Sequence, residues 1–179
     1  AFPLLPELLL ELLEELLFPL LLLPDLLPEA EDCPSLLESS FFPSVRSREE
    51  GFFYGHPRNR FWLILSQLLD EPVPESIGDK KKLLLLHEIA LWDVIASCDV
   101  TGSADSSIKT VVPNDISVII NRAKIKRIFL NGRTAAALYS RYISKTVKIE
   151  AVYLPSTSPA NASWTTERLK EAWTEILRI

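Results

Sequence analysis

Segments with the character of buried strands alternate with helical patterns along the second half of the chain. The strand-like runs are residues 89–96, 125–130 and 147–154, and the helical patterns are residues 115–122, 134–144 and 165–177. This order is typical of a parallel sheet with helices on both faces. The sequence therefore predicts an α/β fold, a three-layer α/β/α sandwich around a central, mainly parallel sheet.

Shorter elements are predicted upstream of this alternation. Residues 59–69 have the apolar periodicity of a helix, and residues 80–86 predict a second, shorter one. Residues 71–79 contain two prolines and predict a loop. A further loop is expected at residues 97–107, which are rich in Ser, Asp and Gly.

The charge of the chain is divided unevenly. Its 179 residues are enough for one domain, with a formal net charge of −5. Residues 1–45 contain nine acidic and no basic residues, whereas residues 46–179 contain 15 acidic and 19 basic residues. The larger part is therefore mildly basic, which suits a polyanionic partner without requiring one.

Residues 1–35 consist almost entirely of Leu, Pro, Glu and Asp. Acidic residues and prolines interrupt the leucines too often for a membrane span, and the positive leader of a secretory signal is missing. We therefore expect no membrane association.

Metal and cofactor motifs are missing from the sequence. Cys33 and Cys98 cannot complete a four-cysteine site, and free thiols in a reducing cytoplasm are the default. The sequence has no HExxH, EF-hand or P-loop pattern. We expect neither a metal nor a cofactor.

Residues 51–62 form the densest group of chemically versatile side chains. Within twelve residues the segment combines aromatic rings, glycines, a histidine, an amide and two arginines. Such a set suits a pocket that holds a planar base beside a phosphate backbone. The candidate residues are Phe53, Tyr54, His56, Arg58, Asn59 and Arg60.

A second polar segment, residues 154–161, ends a predicted strand with a run of hydroxyl groups. Its candidate residues are Ser156, Thr157, Ser158 and Asn161. Both segments lie near predicted carboxyl ends of strands, where ligands bind in open α/β sheets. We therefore expect them to form one site.

The two segments together resemble the signature motifs of the uracil-DNA glycosylase superfamily. They are most similar to the hypoxanthine (deoxyinosine) DNA glycosylases, close to the mismatch-specific uracil-DNA glycosylases. Residues 89–94 and 129–132 share the resemblance, which spans most of residues 42–179. It implies a monofunctional glycosylase in base excision repair, a cytoplasmic monomer that removes hypoxanthine from DNA.

The same resemblance sets residues 1–41 apart. Family members normally place a strand here that ends in Gly-Ser-Phe-Pro-Ser, and this chain retains only residues 42–45 of that pattern. The sequence thus predicts a catalytic domain at residues 42–179, after an atypical segment that need not belong to the fold.

The resemblance also implies residue roles. Tyr54 corresponds to the aromatic residue that stacks on the flipped base, with Phe42 and Phe53 as further base-binding residues. The superfamily's usual catalytic residue corresponds to about Phe42, so the polar role falls to Asn59, assisted by His56. The residues implied to contact DNA are Ser44, Arg58, Arg60, Ser156, Thr157, Ser158 and Asn161.

Each role has a structural alternative. Tyr54 also fits a core aromatic residue, Asn59 a helix N-cap, and His56 a histidine that hydrogen-bonds its own loop. One arginine of the first motif is expected to clamp phosphate and the other to be solvated. Residues 154–161 also fit a Ser/Pro turn before the last helix.

Three other functions compete with hypoxanthine release. The second motif lacks the bulky apolar residue and the histidine of the classical uracil branch, so we expect weak or no activity on uracil. A G/U mismatch-specific uracil glycosylase stays an alternative, as does a DNA-binding relative that has lost catalysis. A generic nucleotide-binding domain would require a phosphate loop such as GxGxxG, which the sequence lacks.

Overall fold

A computed structural model describes residues 19–24, 52–100, 108–121 and 123–178, with only the backbone for 19–24, 97–100 and 108–110. Strands and helices alternate along these residues. The strands are β1 Pro19–Pro24, β2 Ala90–Asp93, β3 Ile95–Val100, β4 Ile108–Pro113, β5 Ile125–Asn131 and β6 Ala151–Leu154. The helices are α1 Phe61–Leu69, α2 Ile77–Leu86, α3 Ser117–Ile120, α4 Arg133–Tyr142 and α5 Thr166–Trp173, and a 3-10 turn follows at Thr174–Leu177.

Four strands form the main sheet, in the order β2-β1-β5-β6. β5 and β6 pair in parallel, whereas β1 pairs antiparallel with both of its neighbours. β2, β5 and β6 therefore run in one direction, and β1 runs against them. The α/β class is confirmed, but only one of the three strand pairs described in this sheet is parallel.

The second sheet is a two-stranded antiparallel pairing of β3 and β4. The prediction of a loop from residue 97 is wrong at its start, because β3 continues to Val100. The pairing has register irregularities between Ile95 and Ser97 and between Ser97 and Asp99. Such irregularities disrupt the alternation from which a strand is predicted.

Helix α2 begins earlier than its apolar pattern indicates. The hydroxyl of Ser76 accepts a hydrogen bond from the backbone N–H of Asp79, and the Asp79 carboxylate accepts one from the backbone N–H of Ser76. This reciprocal capping box fixes the helix start at Ile77. The predicted loop at residues 71–79 is therefore wrong for its last three residues, which belong to α2.

Two clusters of buried apolar side chains lie on opposite faces of the main sheet. Along β5, Phe129 packs into one cluster, whereas Ile128 and Leu130 pack into the other. Successive strand residues point to opposite faces, which accounts for this division. We call the two sides the Phe129 face and the Ile128 face. Buried members of the Phe129 face include Phe61, Leu91, Leu154 and Trp173.

β1 belongs to the segment that the sequence sets apart from the domain. It nevertheless lies inside the main sheet, between β2 and β5. A domain boundary at residue 42 stays a prediction, since residues 25–51 lie outside the described residues. Among the helices that the structure describes, none is long and apolar enough to cross a bilayer.

Candidate active site

The two polar motifs are in direct contact, as the sequence predicts. The backbone N–H of Arg60 donates to the carbonyl of Thr157 at 3.2 Å. The Arg60 guanidinium also donates from Nε to Thr157 (3.3 Å), from Nη2 to the carbonyls of Ser158 (2.7 Å) and Asn161 (3.2 Å), and from Nη1 to that of Trp164. Arg60 therefore links the start of α1 to the loop that follows β6.

These contacts use four of the five N–H groups of the Arg60 guanidinium. Burial also lowers the pKa of this side chain. The geometry indicates a clamp that shapes the second motif, and phosphate binding by Arg60 stays a prediction. Arg58, by contrast, is exposed on the loop before α1.

A hydrogen-bond network lies where β5 and β6 end. The Asn131 amide Nδ2 donates to the Tyr54 hydroxyl at 2.9 Å and to the Thr157 hydroxyl at 3.0 Å. Its Oδ1 accepts from the backbone N–H of Thr157 at 3.1 Å. One buried asparagine thus connects both motifs. The site residues predicted from the sequence do not include Asn131, although its place after an apolar strand and before Gly132 signals the carboxyl end of that strand.

Tyr54 is held in a strained backbone conformation. Its φ of 52° lies in the left-handed region that non-glycine residues rarely adopt. Its ring stacks on Phe61 with centroids 3.9 Å apart and an interplanar angle of 17°. Burial raises the pKa of the hydroxyl, and the charge of Asp93 adds to the increase, while the hydrogen bond from Asn131 opposes it. Phe61 covers one ring face, so the base stacking implied by the resemblance would use the opposite face, and it stays a prediction.

His56 is buried within its own loop. Its Nδ1 accepts a hydrogen bond from the backbone N–H of Arg58 at 3.0 Å, and its carbonyl accepts one from the N–H of Asn59 at 2.8 Å. Because Nδ1 is an acceptor, the proton of the neutral ring resides on Nε2. A catalytic role of His56 stays a prediction.

Asn59 lies two residues before Phe61, the first residue of α1. Its side-chain Oδ1 accepts from the backbone N–H of Phe61 at 3.0 Å, so the side chain caps the helix start. This contact turns the carbonyl oxygen of the amide toward the backbone. The Nδ2 group, with two N–H donors, remains for other partners. The structural and chemical roles expected of Asn59 are thus compatible.

The second motif forms a tight turn stabilised by its own side chains. The hydroxyl of Ser156 accepts from the N–H of Ser158, and the hydroxyl of Ser158 accepts from the N–H of Ala160, both at 3.2 Å. Asn161 donates from Nδ2 to the Ser156 carbonyl at 2.9 Å. In each serine the hydroxyl oxygen accepts, which leaves the hydroxyl hydrogen for an outside acceptor.

Gly132 explains how this turn approaches β5. Its φ of 102° disfavours any other residue, and an added Cβ would lie 3.1 Å from the Ser156 Cβ. Its N–H also donates to the Leu154 carbonyl at 2.8 Å. A glycine is therefore needed where the two strand ends meet.

The remaining predicted residues are placed as follows. Phe53 is buried in the core of the Phe129 face, and its carbonyl accepts from the Trp62 ring N–H at 3.1 Å. Phe42 and Ser44 lie outside the described residues. Base binding by Phe42 or Phe53 and phosphate binding by Ser44 stay predictions.

Asp93, the last residue of β2, is missing from the site residues that the sequence predicts. Only 2% of it is exposed, and neither carboxyl oxygen has a hydrogen-bond partner among the described residues. Burial raises its pKa well above the ordinary range of a carboxyl group. No group of three or more His, Cys, Asp or Glu residues in the described ranges is arranged to hold a metal ion.

Comparison with known proteins identifies the family of this chain. No family model matches the chain. A curated hypoxanthine DNA glycosylase of Methanosarcina acetivorans is 32% identical over 138 residues, which cover 76% of this chain and 85% of that protein. The chain belongs to the hypoxanthine DNA glycosylase family. A second member, from Methanosarcina barkeri, is 28% identical over 154 residues, 84% of this chain and 95% of its own length.

A solved structure is also similar to the present chain. It is the solution NMR structure of a Methanosarcina acetivorans protein, provisionally described as a uracil DNA glycosylase. The two chains share 29% identity with a TM-score of 0.62, over 76% of this chain and 84% of the other. The α/β fold is thus of the uracil-DNA glycosylase type.

Proposed function

We propose that this protein is a monofunctional DNA glycosylase that releases hypoxanthine from deoxyinosine in DNA during base excision repair. Membership of the hypoxanthine DNA glycosylase family supports this function. The observation that carries it is the Asn131 network, which joins Tyr54 of the first motif to Thr157 of the second. It gathers an aromatic surface, an amide and hydroxyl groups at one edge of the sheet.

The base must leave the duplex before the bond can be hydrolysed, because the glycosidic bond is inaccessible within the stack. The flipped hypoxanthine stacks on the face of Tyr54 that is opposite Phe61. The three rings then form a continuous stack. Base–aromatic stacking contributes roughly 1–3 kcal/mol, and every base has such a face. Tyr54 therefore retains the base, whereas polar groups select it.

Asn59 is the group we assign to the chemical step. Its Oδ1 caps α1, so its Nδ2 donates a hydrogen bond to the departing purine. This interaction stabilises the negative charge that develops on the base as the bond to C1′ breaks. A water molecule adds to C1′, and its proton goes to the released base. The products are free hypoxanthine and an abasic site.

Phosphate contacts come from both motifs. Arg58 presents an exposed guanidinium group, and the hydroxyl hydrogens of Ser156 and Ser158 are available to phosphate oxygens. Thr157 is fully buried by the Asn131 network, and Asn161 is bonded within the turn. These two residues therefore shape the turn that presents the serines.

The same proposal includes the architecture of the protein, its localisation, its oligomeric state and its need for cofactors. They are a three-layer arrangement of helices around the sheet, a cytoplasmic monomer and independence of cofactors. We assign no lysine to the reaction and expect no strand cleavage beyond the abasic product.

The test is an alkaline-cleavage assay on end-labelled duplexes that contain deoxyinosine, deoxyuridine or only normal bases, with enzyme in excess. We expect cleavage at deoxyinosine and little at deoxyuridine. Cleavage mainly at deoxyuridine would replace hypoxanthine by uracil as the substrate. DNA binding without cleavage of any duplex would make the protein a non-catalytic relative.

A further inference from the structure

A groove separates helix α2 from the loop that precedes it. Loop residues 71–75 form one wall, and α2 forms the other with side chains between Asp79 and Leu86. The cavity measures about 760 Å³, a volume within the usual range of ligand-binding clefts. None of its lining residues belongs to the two polar motifs. We call this feature the α2 groove.

Apolar side chains along the α2 groove are exposed to an unusual degree. Val73 is 48% exposed, Leu85 41% and Leu86 67%, and all three line the groove. Ile77, at the start of the same helix, is 40% exposed. These four are more than half of the large apolar side chains that are exposed among the described residues. Single exposed apolar residues are common, but such a concentration is typical of an interaction site.

The loop wall offers hydrogen-bond acceptors and few donors. Pro72 and Pro74 have no backbone N–H, and the residue before each proline is restricted to an extended conformation. Among the described residues, no backbone N–H donates to the carbonyls of residues 71–75. These carbonyls therefore remain available to the N–H groups of a bound chain.

The charged side chains that line the α2 groove are mostly acidic. Glu71, Glu75 and Asp79 carry carboxylates, and Lys82 is the cation among the lining residues. Glu71 faces His87, with 3.0 Å between Oε1 and Nε2. Glu75 is exposed and has no hydrogen bond or ion pair within the described part of the chain. At least one carboxylate is therefore free to pair with an external cation, and the groove attracts positive charge.

The α2 groove is unsuited to DNA, because carboxylates repel a polyanion. Lys80 and Lys81 do not line it, and the Lys80 Nζ lies 5.4 Å from the centre of the Trp62 ring. Glu71 follows the C-terminal end of α1, whereas Arg60 precedes its N-terminal end. A helix of this length spans about 14 Å. A partner in the groove therefore leaves the site at the start of α1 open to DNA.

We propose that the α2 groove docks a segment of another protein in which apolar side chains are flanked by lysine or arginine. The apolar side chains of this segment cover Val73, Leu85 and Leu86. Its cations pair with Glu71 and Glu75, and its N–H groups donate to the carbonyls of the loop wall. An acidic or purely apolar segment would leave the carboxylates without partners. This surface is separate from the proposed glycosylase site and does not depend on it.

The test selects binders from a displayed library of random peptides on the full-length protein, with counter-selection on the Leu86→Glu variant. Counter-selection removes peptides that bind outside the α2 groove. We expect the remaining peptides to combine apolar residues with lysine or arginine. We also expect them to bind equally well when duplex DNA is present.

Two variants that take no part in the selection then measure the contribution of each wall. Val73→Asp places a charge against the apolar side chains of the peptide, so the Kd should rise about tenfold. Glu75→Gln removes one exposed ion pair, and the Kd should rise about two- to fivefold.

The matched control is Val112→Asp, the same change at a valine that is also 48% exposed but lies on β4, outside the groove. Its Kd for the selected peptides should equal that of the unsubstituted protein. Thermal unfolding checks that the variants are folded, since substitutions at exposed positions leave Tm nearly unchanged.

Other results would overturn the inference. A selection that yields no peptide sensitive to Leu86→Glu would show that the groove is not a docking surface. Acidic or uncharged peptides, or peptides that DNA displaces, would exclude the basic partner that we propose. Self-association that Leu86→Glu abolishes in sedimentation experiments would make a second copy of the chain the occupant.

Discussion

At the residue scale, the structural contact of Asn59 is compatible with the catalytic role that we propose for it. Its Oδ1 caps α1 at Phe61, which leaves its Nδ2 for the base in the proposed mechanism. The cap role follows from its place before a helical pattern. The division of labour between the two amide atoms does not, because it depends on which atom turns toward the backbone.

Asn59→Asp and Asn59→Ala test that division. Asp keeps the capping oxygen and lacks the N–H donors, whereas Ala lacks both. We expect both variants to lose base release by at least about hundredfold, a typical effect of removing a group that stabilises developing charge. Ala should also lose about 0.5–2 kcal/mol of stability through the missing cap, and Asp should lose little.

Single-turnover release and denaturant unfolding measure the two effects separately. An Asn59→Asp variant with normal release would show that the amide N–H is not needed. A water-positioning oxygen would then be the better assignment for this residue.

The burial of Asp93 could not be predicted, because a carboxylate at the end of an apolar run usually indicates a solvated strand end. Its strand pairs with β1, which comes from a distant part of the chain. Only the pairing of strands shows that its neighbours exclude water. The same holds for Asn131, whose partners come from both motifs.

The stability of the protein should depend on pH through Asp93. The folded protein holds this proton to higher pH than the unfolded chain, whose pKa is about 3.9. Unfolding therefore releases a proton, and the free energy of unfolding falls as pH rises from about 4 through the folded pKa, by at most about 1.4 kcal/mol per pH unit.

Asp93→Asn should flatten this dependence. Urea unfolding at a series of pH values measures the slope for both proteins. Identical slopes would mean that Asp93 is already ionised or solvated over that range.

At the element scale, Arg60 and Arg58 lie two residues apart but serve different purposes. Arg60 ties the N-terminal end of α1 to four carbonyls of the turn after β6. Arg58 lies exposed on the preceding loop. The sequence predicts that one of the two clamps a phosphate and that the other is solvated, which stays a prediction. It does not predict the contacts of Arg60 with the turn, because the carbonyl partners are about 100 residues away.

Arg60→Lys should destabilise the protein by at least about 2 kcal/mol, since one ammonium group cannot reach four carbonyls in the geometry of a planar fork. Arg58→Ala should leave stability within about 0.5 kcal/mol and should weaken DNA binding. Removal of one phosphate contact lowers the slope of log Kd against log salt by about 0.9.

Chemical unfolding and a salt titration of DNA binding, applied to both variants, check these expectations. The assignment is wrong if the salt slope changes for Arg60→Lys and stays constant for Arg58→Ala.

The local elements follow from the sequence where apolar periodicity is uninterrupted. The expected helix at residues 59–69 is present as α1, and the expected strand at residues 125–130 is present as β5. Predictions fail where a cap or a pairing decides the outcome, as at the start of α2 and in the β3–β4 pair. A capping box and an irregular strand register do not produce a periodic pattern of apolar residues, so the sequence does not reveal them.

At the scale of the whole molecule, β1 determines whether the main sheet is continuous. It lies between β2 and β5, so these two strands are joined only through it in the described sheet. Composition could not predict this position, since a Leu- and Pro-rich segment shows none of the alternation of a strand. The residues that follow β1, up to 51, lie outside the described structure.

Leu21→Pro in β1 should destabilise the full-length protein by about 3 kcal/mol or more, because proline removes a ladder donor from a strand that is paired on both sides. Leu21→Ala, which keeps the backbone N–H, is the matched control. Thermal unfolding of the two variants isolates the backbone contribution. Equal Tm values would indicate that β1 is dispensable, as a domain confined to residues 42–179 requires.

The position of β1 also has a consequence for the order in which the chain folds. β1 is synthesised before both of its neighbours in the sheet, and its partner Leu130 lies 110 residues after Leu20. Closing so large a loop is entropically unfavourable and slow. A leucine-rich strand with two open edges therefore stays unpaired until β2 and β5 have been synthesised. The fraction of chains that fold before this strand aggregates depends on how fast β2 and β5 are synthesised. Translation speed and chaperone supply therefore affect the yield of active enzyme.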